Sequence, residues 1–88
     1  MANSPRTKFN NATQRLFGDV VTPVVYVWET NDPDAPWYAE ARILEGDRVV
    51  RKFPQSSSTE KQSAKNLAAD AAYQLLCSQY PNVDLTNV

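Results

Sequence analysis

The chain has 88 residues, 42% of them apolar, and a formal net charge of −1 at pH 7. This length predicts one small domain with a two-layer core and excludes a deep catalytic cleft. No apolar run approaches the roughly 18 residues of a membrane span, and the polar N-terminus lacks the apolar segment of a secretory signal. The single cysteine, Cys77, fits a reducing compartment. We therefore expect an intracellular protein, cytoplasmic or nuclear, with no membrane partner.

Charge is distributed unevenly along the chain. Residues 29–47 contain six acids and one base, a net charge of −5, whereas residues 51–69 contain four bases and a single acid, Glu60, a net charge of +3. The mean charge and the pI of about 5.2 are therefore weak guides to the partner, because a basic surface can coexist with an acidic average.

The first predicted element is a short amphipathic helix over residues 5–17, after a flexible tail at residues 1–4. Its apolar face recurs at helical spacing and consists of Phe9, Ala12 or Thr13, Leu16 and Phe17. Proline is favourable in the first turn of a helix, which suits Pro5. Glycine commonly ends a helix, so we expect the end at Gly18.

Three strands are predicted next, because β-branched and aromatic residues alternate between turn-rich segments. They cover residues 22–29, 37–44 and 48–53, joined by a loop at 30–36 and a tight turn at 45–47, and a polar connector at 54–58 follows. Pro23 can open the first strand but is not expected inside it. In the second strand, one face carries Trp37, Ala39, Ala41 and Ile43. In the third, Val49, Arg51 and Phe53 are expected on one side.

A long helix is predicted over residues 59–76, followed by a tail at residues 79–88. Its apolar stripe consists of Ala64, Leu67, Ala68, Ala71, Ala72, Leu75 and Leu76. Thr59 and Gln62 form a capping-box pattern, and Ser57 with Glu60 offers a competing frame. Lys61 and Lys65 project from one side of the N-terminal end, where the helix dipole favours phosphate.

This order of elements predicts an α+β domain with a three-stranded antiparallel sheet and two helices packed on one face. The α-β-β-β-α order, with Lys61-x-x-Ala64-Lys65-x-x-Ala68-Ala69 opening the last helix, resembles the double-stranded-RNA-binding domain family. In that family the last helix opens with Ser-Lys-Lys-x-Ala-Lys-x-x-Ala-Ala. The segment from Phe9 to Gln14 is similar to the family's Leu-Asn-Glu-x-x-Gln segment, and the resemblance extends over residues 5–78.

The resemblance implies a non-catalytic module that recognises the A-form shape and the phosphates of double-stranded RNA. The residues it implies as RNA-binding are Lys61, Lys65, Lys52, Gln62, Asn11 and Gln14. Glutamine replaces the second lysine of the signature, the glycines before it are serines, and the loop histidine is missing. With only two or three phosphate contacts left, we expect weak and salt-sensitive binding.

An alternative is a divergent domain of this family that binds proteins and has little or no affinity for RNA. A protein partner or a second copy would then use the outer sheet face, with Tyr26 and Tyr38, or the unpaired edge of the third strand. Trp28 and Trp37 are expected to pack on the sheet rather than to stack on bases. No enzyme, metal or cofactor pattern is present: Cys77 lacks a histidine to activate it, and the acidic residues fit no metal-binding loop.

Overall fold

The computed structural model of the protein describes residues 3–86. Its elements are α1 (Pro5–Phe17), a 3-10 turn (Gly18–Val20), β1 (Thr22–Glu29), β2 (Trp37–Glu45), β3 (Arg48–Lys52), β4 (Ser56–Ser58) and α2 (Lys61–Gln79). The strand order is β1-β2-β3, β4 also pairs with β2, and every pairing is antiparallel. The α+β prediction, with two helices on an antiparallel sheet in the order α-β-β-β-α, is confirmed. The predicted tails at 1–4 and 79–88 each include two residues outside the described range.

Helix α1 has the predicted bounds. Pro5 occupies its first turn, and the Ser4 hydroxyl caps the helix by accepting a hydrogen bond from the Thr7 N–H at 3.3 Å. The helix ends where Gly18 adopts a φ of 73°, a left-handed conformation that favours glycine. Ala12 and Thr13, the alternatives for one position of the predicted apolar face, are both buried. The Thr13 hydroxyl donates a hydrogen bond to the Phe9 carbonyl at 2.8 Å. Thr13 therefore lies in the core without leaving its hydroxyl unpaired.

The core lies between the helices and the inner face of the sheet. Ala39 of β2 packs against Ala64 and Ala68 of α2, and these three residues are fully buried. Alanine on both surfaces lets the helix lie close to the sheet, because there are no longer side chains to separate them. On the other side of the core, the Phe9 and Phe53 rings meet edge to face with their centroids 5.6 Å apart.

The predicted stripe on α2 is displaced around the helix. Leu67 is 50% exposed, whereas Ala69 and Tyr73, outside the predicted stripe, are buried. Helix α1 covers that side of α2: the Lys8 ammonium lies 5.7 Å from the Tyr73 ring centroid, and the Phe17 ring contacts Tyr80. A helix that packs on both a sheet and a second helix buries a wider arc than one apolar stripe. Which of its residues are buried is therefore determined by the elements that pack against it.

The predicted start of the long helix is wrong by two residues. The predicted capping box between Thr59 and Gln62 is wrong as well. The helix begins at Lys61, and its N-cap is Glu60, whose side chain makes no capping hydrogen bond. The reason is a fourth strand, in the segment predicted to be a polar connector. Residues 56–58 pair with Trp37, Tyr38 and Ala39, so the backbone is extended up to the helix and cannot be helical at residue 59.

A β-bulge in β3 contradicts the predicted facing of Val49, which was expected on the same side as Arg51 and Phe53. Leu44 pairs with Val49 and the adjacent Ile43 pairs with Arg51, so Val50 is an extra residue. Val49 therefore shares the outer face with Leu44, whereas Arg51 and Phe53 lie on the inner face. The alternation predicted for β2 is confirmed, with Ala39, Ala41 and Ile43 buried.

Residues 80–86 fold back onto the helices. Leu85 is only 2% exposed, and its carbonyl accepts a hydrogen bond from the Tyr73 hydroxyl at 2.7 Å. The Arg15 guanidinium of α1 donates to the Asp84 carbonyl at 2.8 Å. Burial raises the pKa of the Tyr73 phenol, and the neighbouring Cys77 adds to the shift. This segment carries no sequence periodicity that would have indicated its packing.

Candidate nucleic-acid interface

The N-terminal end of α2 presents a small basic surface, which we call the α2 terminus and define as Lys61, Gln62 and Lys65. Lys61 and Gln62 are exposed, and Lys65 is half-buried. The first turn contains no acidic residue, and the side chain of its N-cap, Glu60, makes no capping hydrogen bond. The first amide N–H groups of a helix lack intrahelical acceptors, and they lie at the positive end of the helix dipole. This arrangement suits an anionic oxygen.

Lys61 is anchored to the sheet. Its ammonium lies 5.7 Å from the centroid of the Trp37 ring, at the start of β2. Trp37 is half-buried and packs against the cluster of Ala39, Ala64 and Ala68. The tryptophan therefore packs on the sheet, as predicted, and holds the lysine beside the helix start through a cation–π contact.

Lys65 and Gln62 extend this surface along the helix. Lys65 follows Lys61 by one turn, about 6 Å along the axis, so the two side chains project on the same side. The Gln62 side-chain amide donates to the Asn66 carbonyl oxygen at 3.1 Å. This hydrogen bond holds the Gln62 side chain along the helix. Gln62 adds no positive charge to the surface, whereas a lysine at this position would.

Lys52 lies apart from the α2 terminus. It pairs with Arg42 across β2 and β3, and cross-strand partners project from the same face. Arg42 contacts Glu40 on the outer face, so Lys52 lies on the side of the sheet opposite the helices. The bulge instead places Arg51 on the helix side, with its guanidinium 5.0 Å from the Phe53 ring centroid. Arg51 is not among the residues predicted to bind RNA, although it was expected on the same side of the strand as Phe53.

Asn11 and Gln14 form a second zone on α1. Asn11 is half-buried and Gln14 is exposed. Helix α1 packs beside the later part of α2, since Lys8 contacts Tyr73. Tyr73 follows Lys61 by twelve residues, about 18 Å along the helix axis. The structure therefore separates the predicted residues into two zones on the helical side and leaves Lys52 on the outer face.

The acidic loop between β1 and β2 is organised around Asp32. Its carboxylate accepts hydrogen bonds from the Asp34 N–H at 3.0 Å, the Ala35 N–H at 3.4 Å and the Tyr38 hydroxyl at 3.3 Å. The hydrogen bond from Asp34 is the main reason that the pKa of Asp32 is lowered. This charge therefore stabilises the turn, whereas Asp34 is exposed and faces solvent.

A polar cluster that was not predicted from the sequence occupies the outer face of the sheet. Glu40 is only 7% exposed, and its carboxylate accepts hydrogen bonds from Arg42 and, at 3.1 Å, from Gln55. The hydrogen bond from Arg42 is the main cause of the lowered pKa of Glu40. The Arg42 guanidinium also lies 4.6 Å from the Tyr26 ring centroid. The only indication of this cluster in the sequence is that an acid, Glu40, and a base, Arg42, lie two residues apart on one strand.

The remaining aromatic residues of the outer face contact one another. The Trp28 and Tyr38 rings lie 6.2 Å apart with an interplanar angle of 31°, and Tyr26 is 42% exposed. Trp28 therefore packs on the sheet face, as predicted. Cys77 is half-buried with a free thiol.

No protein-family model matches the chain, and no curated protein matches its sequence. Neither described helix combines the length and the apolar character needed to cross a membrane. Within residues 3–86, no three His, Cys, Asp or Glu side chains are grouped so that they could hold a metal ion.

Proposed function

We propose that this protein is a divergent double-stranded-RNA-binding domain, a non-catalytic module that binds duplex RNA without a cofactor. The main support for this proposal is the α2 terminus. Two lysines lie one turn apart at the start of a helix whose N-cap side chain makes no capping hydrogen bond, on an α-β-β-β-α fold. Lys61 and Lys65 would contact phosphates, with the amides of the first turn and Gln62 as further donors. Asn11 and Gln14 lie on α1, which contacts α2 at Tyr73, about 18 Å along the α2 axis from Lys61, and they would reach a neighbouring groove.

Shape rather than sequence is the expected basis of recognition. The deep, narrow major groove of A-form RNA is closed to side chains, so a domain of this kind reads phosphates and 2′-hydroxyls across the minor groove. The Asn11 and Gln14 amides can donate to and accept from a hydroxyl. We therefore expect a DNA duplex of equal length to compete poorly. Such a module would act within the cell, in the cytoplasm or the nucleus, in RNA processing or silencing.

The affinity is expected to be low because few charges take part. Two phosphate contacts give a salt slope of about −1.8, which is about a tenfold loss of affinity between about 50 and 200 mM salt. Glu60 and Asp34 are exposed and oppose the approach of phosphate. Lys52 on the outer face is not expected to add to the contacts.

Titration of a short RNA duplex at two salt concentrations tests the proposal. The double variant Lys61→Ala/Lys65→Ala should lose most of the affinity and most of the salt dependence. The matched control is Arg48→Ala/Lys52→Ala, which removes two exposed positive charges far from the α2 terminus. No binding at low salt, or equal losses in the two double variants, would overturn the assignment.

The outer face of the sheet favours protein binding as a second candidate function. No described helix covers that face, and it carries the exposed Tyr26; Val50 is exposed on the β3 edge. A protein partner would bury these apolar groups. Chemical-shift mapping on the labelled domain separates the candidates, because RNA should shift Lys61–Lys65 whereas a protein ligand should shift Tyr26 and Trp28.

A further inference from the structure

The two edges of the sheet differ in their capacity to accept another strand. β3 is five residues long, carries the bulge at Val50 and contains three bases, Arg48, Arg51 and Lys52. Short length, bulges and positive charge are the devices that keep edge strands from pairing. β1 has none of these three features: it is eight residues long, pairs with β2 in unbroken register and contains no base, and its one protective residue is Pro23 near the N-terminal end.

The direction of the free backbone groups of β1 follows from two hydrogen bonds. The Ala41 carbonyl accepts a hydrogen bond from the Phe53 N–H, so the backbone groups of Ala41 point away from β1. The Thr30 N–H donates to the Pro36 carbonyl, so the backbone groups of Thr30 point toward the strand that follows the loop. Since backbone groups alternate in direction along an antiparallel strand, even-numbered residues of β1 bond to β2. Pro23, Val25, Val27 and Glu29 therefore direct their backbone groups outward. Pro23 fits inside the strand, where it was not expected, because its missing N–H lies on the free edge.

We propose that the β1 edge pairs antiparallel with β1 of a second copy of this chain, forming a continuous sheet across a two-fold axis. In the central register, Val25 lies opposite Val27 of the second copy, and Tyr26 lies at the axis. Each Val25–Val27 pair exchanges two hydrogen bonds. Each Glu29 N–H also donates to the Pro23 carbonyl of the other copy. The outward group of β1 left without a partner is the Glu29 carbonyl of each copy, because the facing Pro23 has no N–H.

Charge and shape favour a second copy as the occupant. In this register the only charged residue of β1, Glu29, faces an uncharged proline, and Val24 faces Trp28 on the outer face. The same pairing through β3 would place Arg48 opposite Lys52, and like charges directly opposite are destabilising. The β1 edge is therefore complementary to itself, whereas the β3 edge is not. This inference is independent of RNA binding.

Amide exchange and light scattering test the dimer directly. Raising the concentration from about 1 μM to about 1 mM should raise the apparent mass toward twice the 9.9 kDa of one chain. Exchange of the Val25 and Val27 amides should slow over the same range, because these N–H groups become bonded only in the dimer. A constant monomer mass, or a dimer that leaves both amides unprotected, would overturn the proposal.

Variants locate the interface. Tyr26→Lys places two positive charges at the two-fold axis and should weaken dimerisation at least tenfold. Glu29→Pro removes one outward N–H without touching the β1–β2 pairing and should weaken it about fivefold or more. Val50→Lys adds the same charge at an exposed site on the other edge and should leave dimerisation within about twofold. If Val50→Lys disrupts the dimer and Tyr26→Lys does not, the interface lies at β3 and the proposal is wrong. Circular dichroism confirms that each variant is folded.

Discussion

The hydroxyl of Tyr73 in α2 donates a 2.7 Å hydrogen bond to the carbonyl of Leu85, a residue beyond the end of that helix. This contact fixes residues 80–86 against the two helices and buries Leu85. The segment is thus part of the folded core, and its contribution to stability can be measured.

Removing this hydrogen bond should destabilise the domain. Tyr73→Phe leaves the buried Leu85 carbonyl without its partner and should lower the free energy of unfolding by about 1–2 kcal/mol. Leu85→Ala should cost about 2–3 kcal/mol because it removes buried apolar volume. Urea unfolding measures both. The control Tyr80→Phe removes a hydroxyl from the half-buried ring beside Phe17 and should have a much smaller effect. Equal effects of Tyr73→Phe and Tyr80→Phe would contradict the assignment.

The Glu40 cluster should make stability depend on pH. The folded state lowers the pKa of Glu40 below its ordinary 4.5, so its contribution is present above that value and is lost as the pH falls through the folded pKa. Asp32 and Asp84 have lowered pKa values as well and act in the same direction. Glu40→Gln should therefore lower the urea midpoint more at pH 7 than at pH 3.

The exposed Glu45 supplies the control for this pH effect. Glu45→Gln removes a surface ion pair with Arg48 and should change stability by less than about 1 kcal/mol at either pH. A Glu40→Gln variant with the same loss at pH 3 and pH 7 would show that ionisation of Glu40 does not stabilise the fold.

Individual basic residues should differ in their effect on RNA affinity. Lys65→Ala should weaken binding to duplex RNA and reduce the salt slope by about one. Lys52→Ala should leave the affinity within about twofold, since Lys52 lies on the outer face. Binding measured at several salt concentrations distinguishes the two. A larger loss for Lys52→Ala would mean that RNA contacts the outer face of the sheet.

Neutralising the acidic loop should strengthen RNA binding. Asp34 is exposed and is not needed as an acceptor in the turn, so Asp34→Asn should raise the affinity about twofold at low salt. Asp47→Asn, at the exposed tip of the β2–β3 hairpin, is the matched control and should have less effect. Identical changes in the two variants would indicate a response to net charge alone.

The alanine contact between α2 and β2 should tolerate no enlargement. Ala68 is fully buried against Ala39, so Ala68→Leu should lower the free energy of unfolding by about 1–3 kcal/mol through overpacking. Gln74→Leu adds a leucine at an exposed position of the same helix and should change stability by less than about 0.5 kcal/mol. Thermal unfolding compares them. A stable Ala68→Leu variant would show that the helix can move away from the sheet.

The elements with strong periodicity were predictable from the sequence. Helix α1 and the alternation of β2 agree with the prediction, because their apolar residues repeat at 3.6 and 2 residues and their ends carry Gly18 and turn residues. β4 was missed because a cluster of serines between two periodic segments is typical of a loop. They are extended because Trp37, Tyr38 and Ala39 provide a strand to pair with.

The geometry of the candidate site was less predictable because it depends on contacts distant in sequence. The two lysines of the α2 terminus share one side, as the i, i+4 spacing requires. One inserted residue in β3 determines which face each of two neighbouring residues takes, the outer face for Lys52 and the inner face for Arg51. The burial of Glu40 depends on Gln55, fifteen residues away, and that of Leu85 on Tyr73. No local pattern encodes either contact.

The bulge at Val50 also sets a limit on how many copies of this chain can associate. A sheet with two pairing-competent edges could add copies at both sides and grow into an open-ended ribbon, whereas a two-fold pairing through one edge closes after two copies. The extra residue and the three bases of β3 disfavour pairing at one edge, so the proposed association through β1 would end at the dimer. Deleting Val50 would regularise β3 and remove one of the barriers to fibre growth.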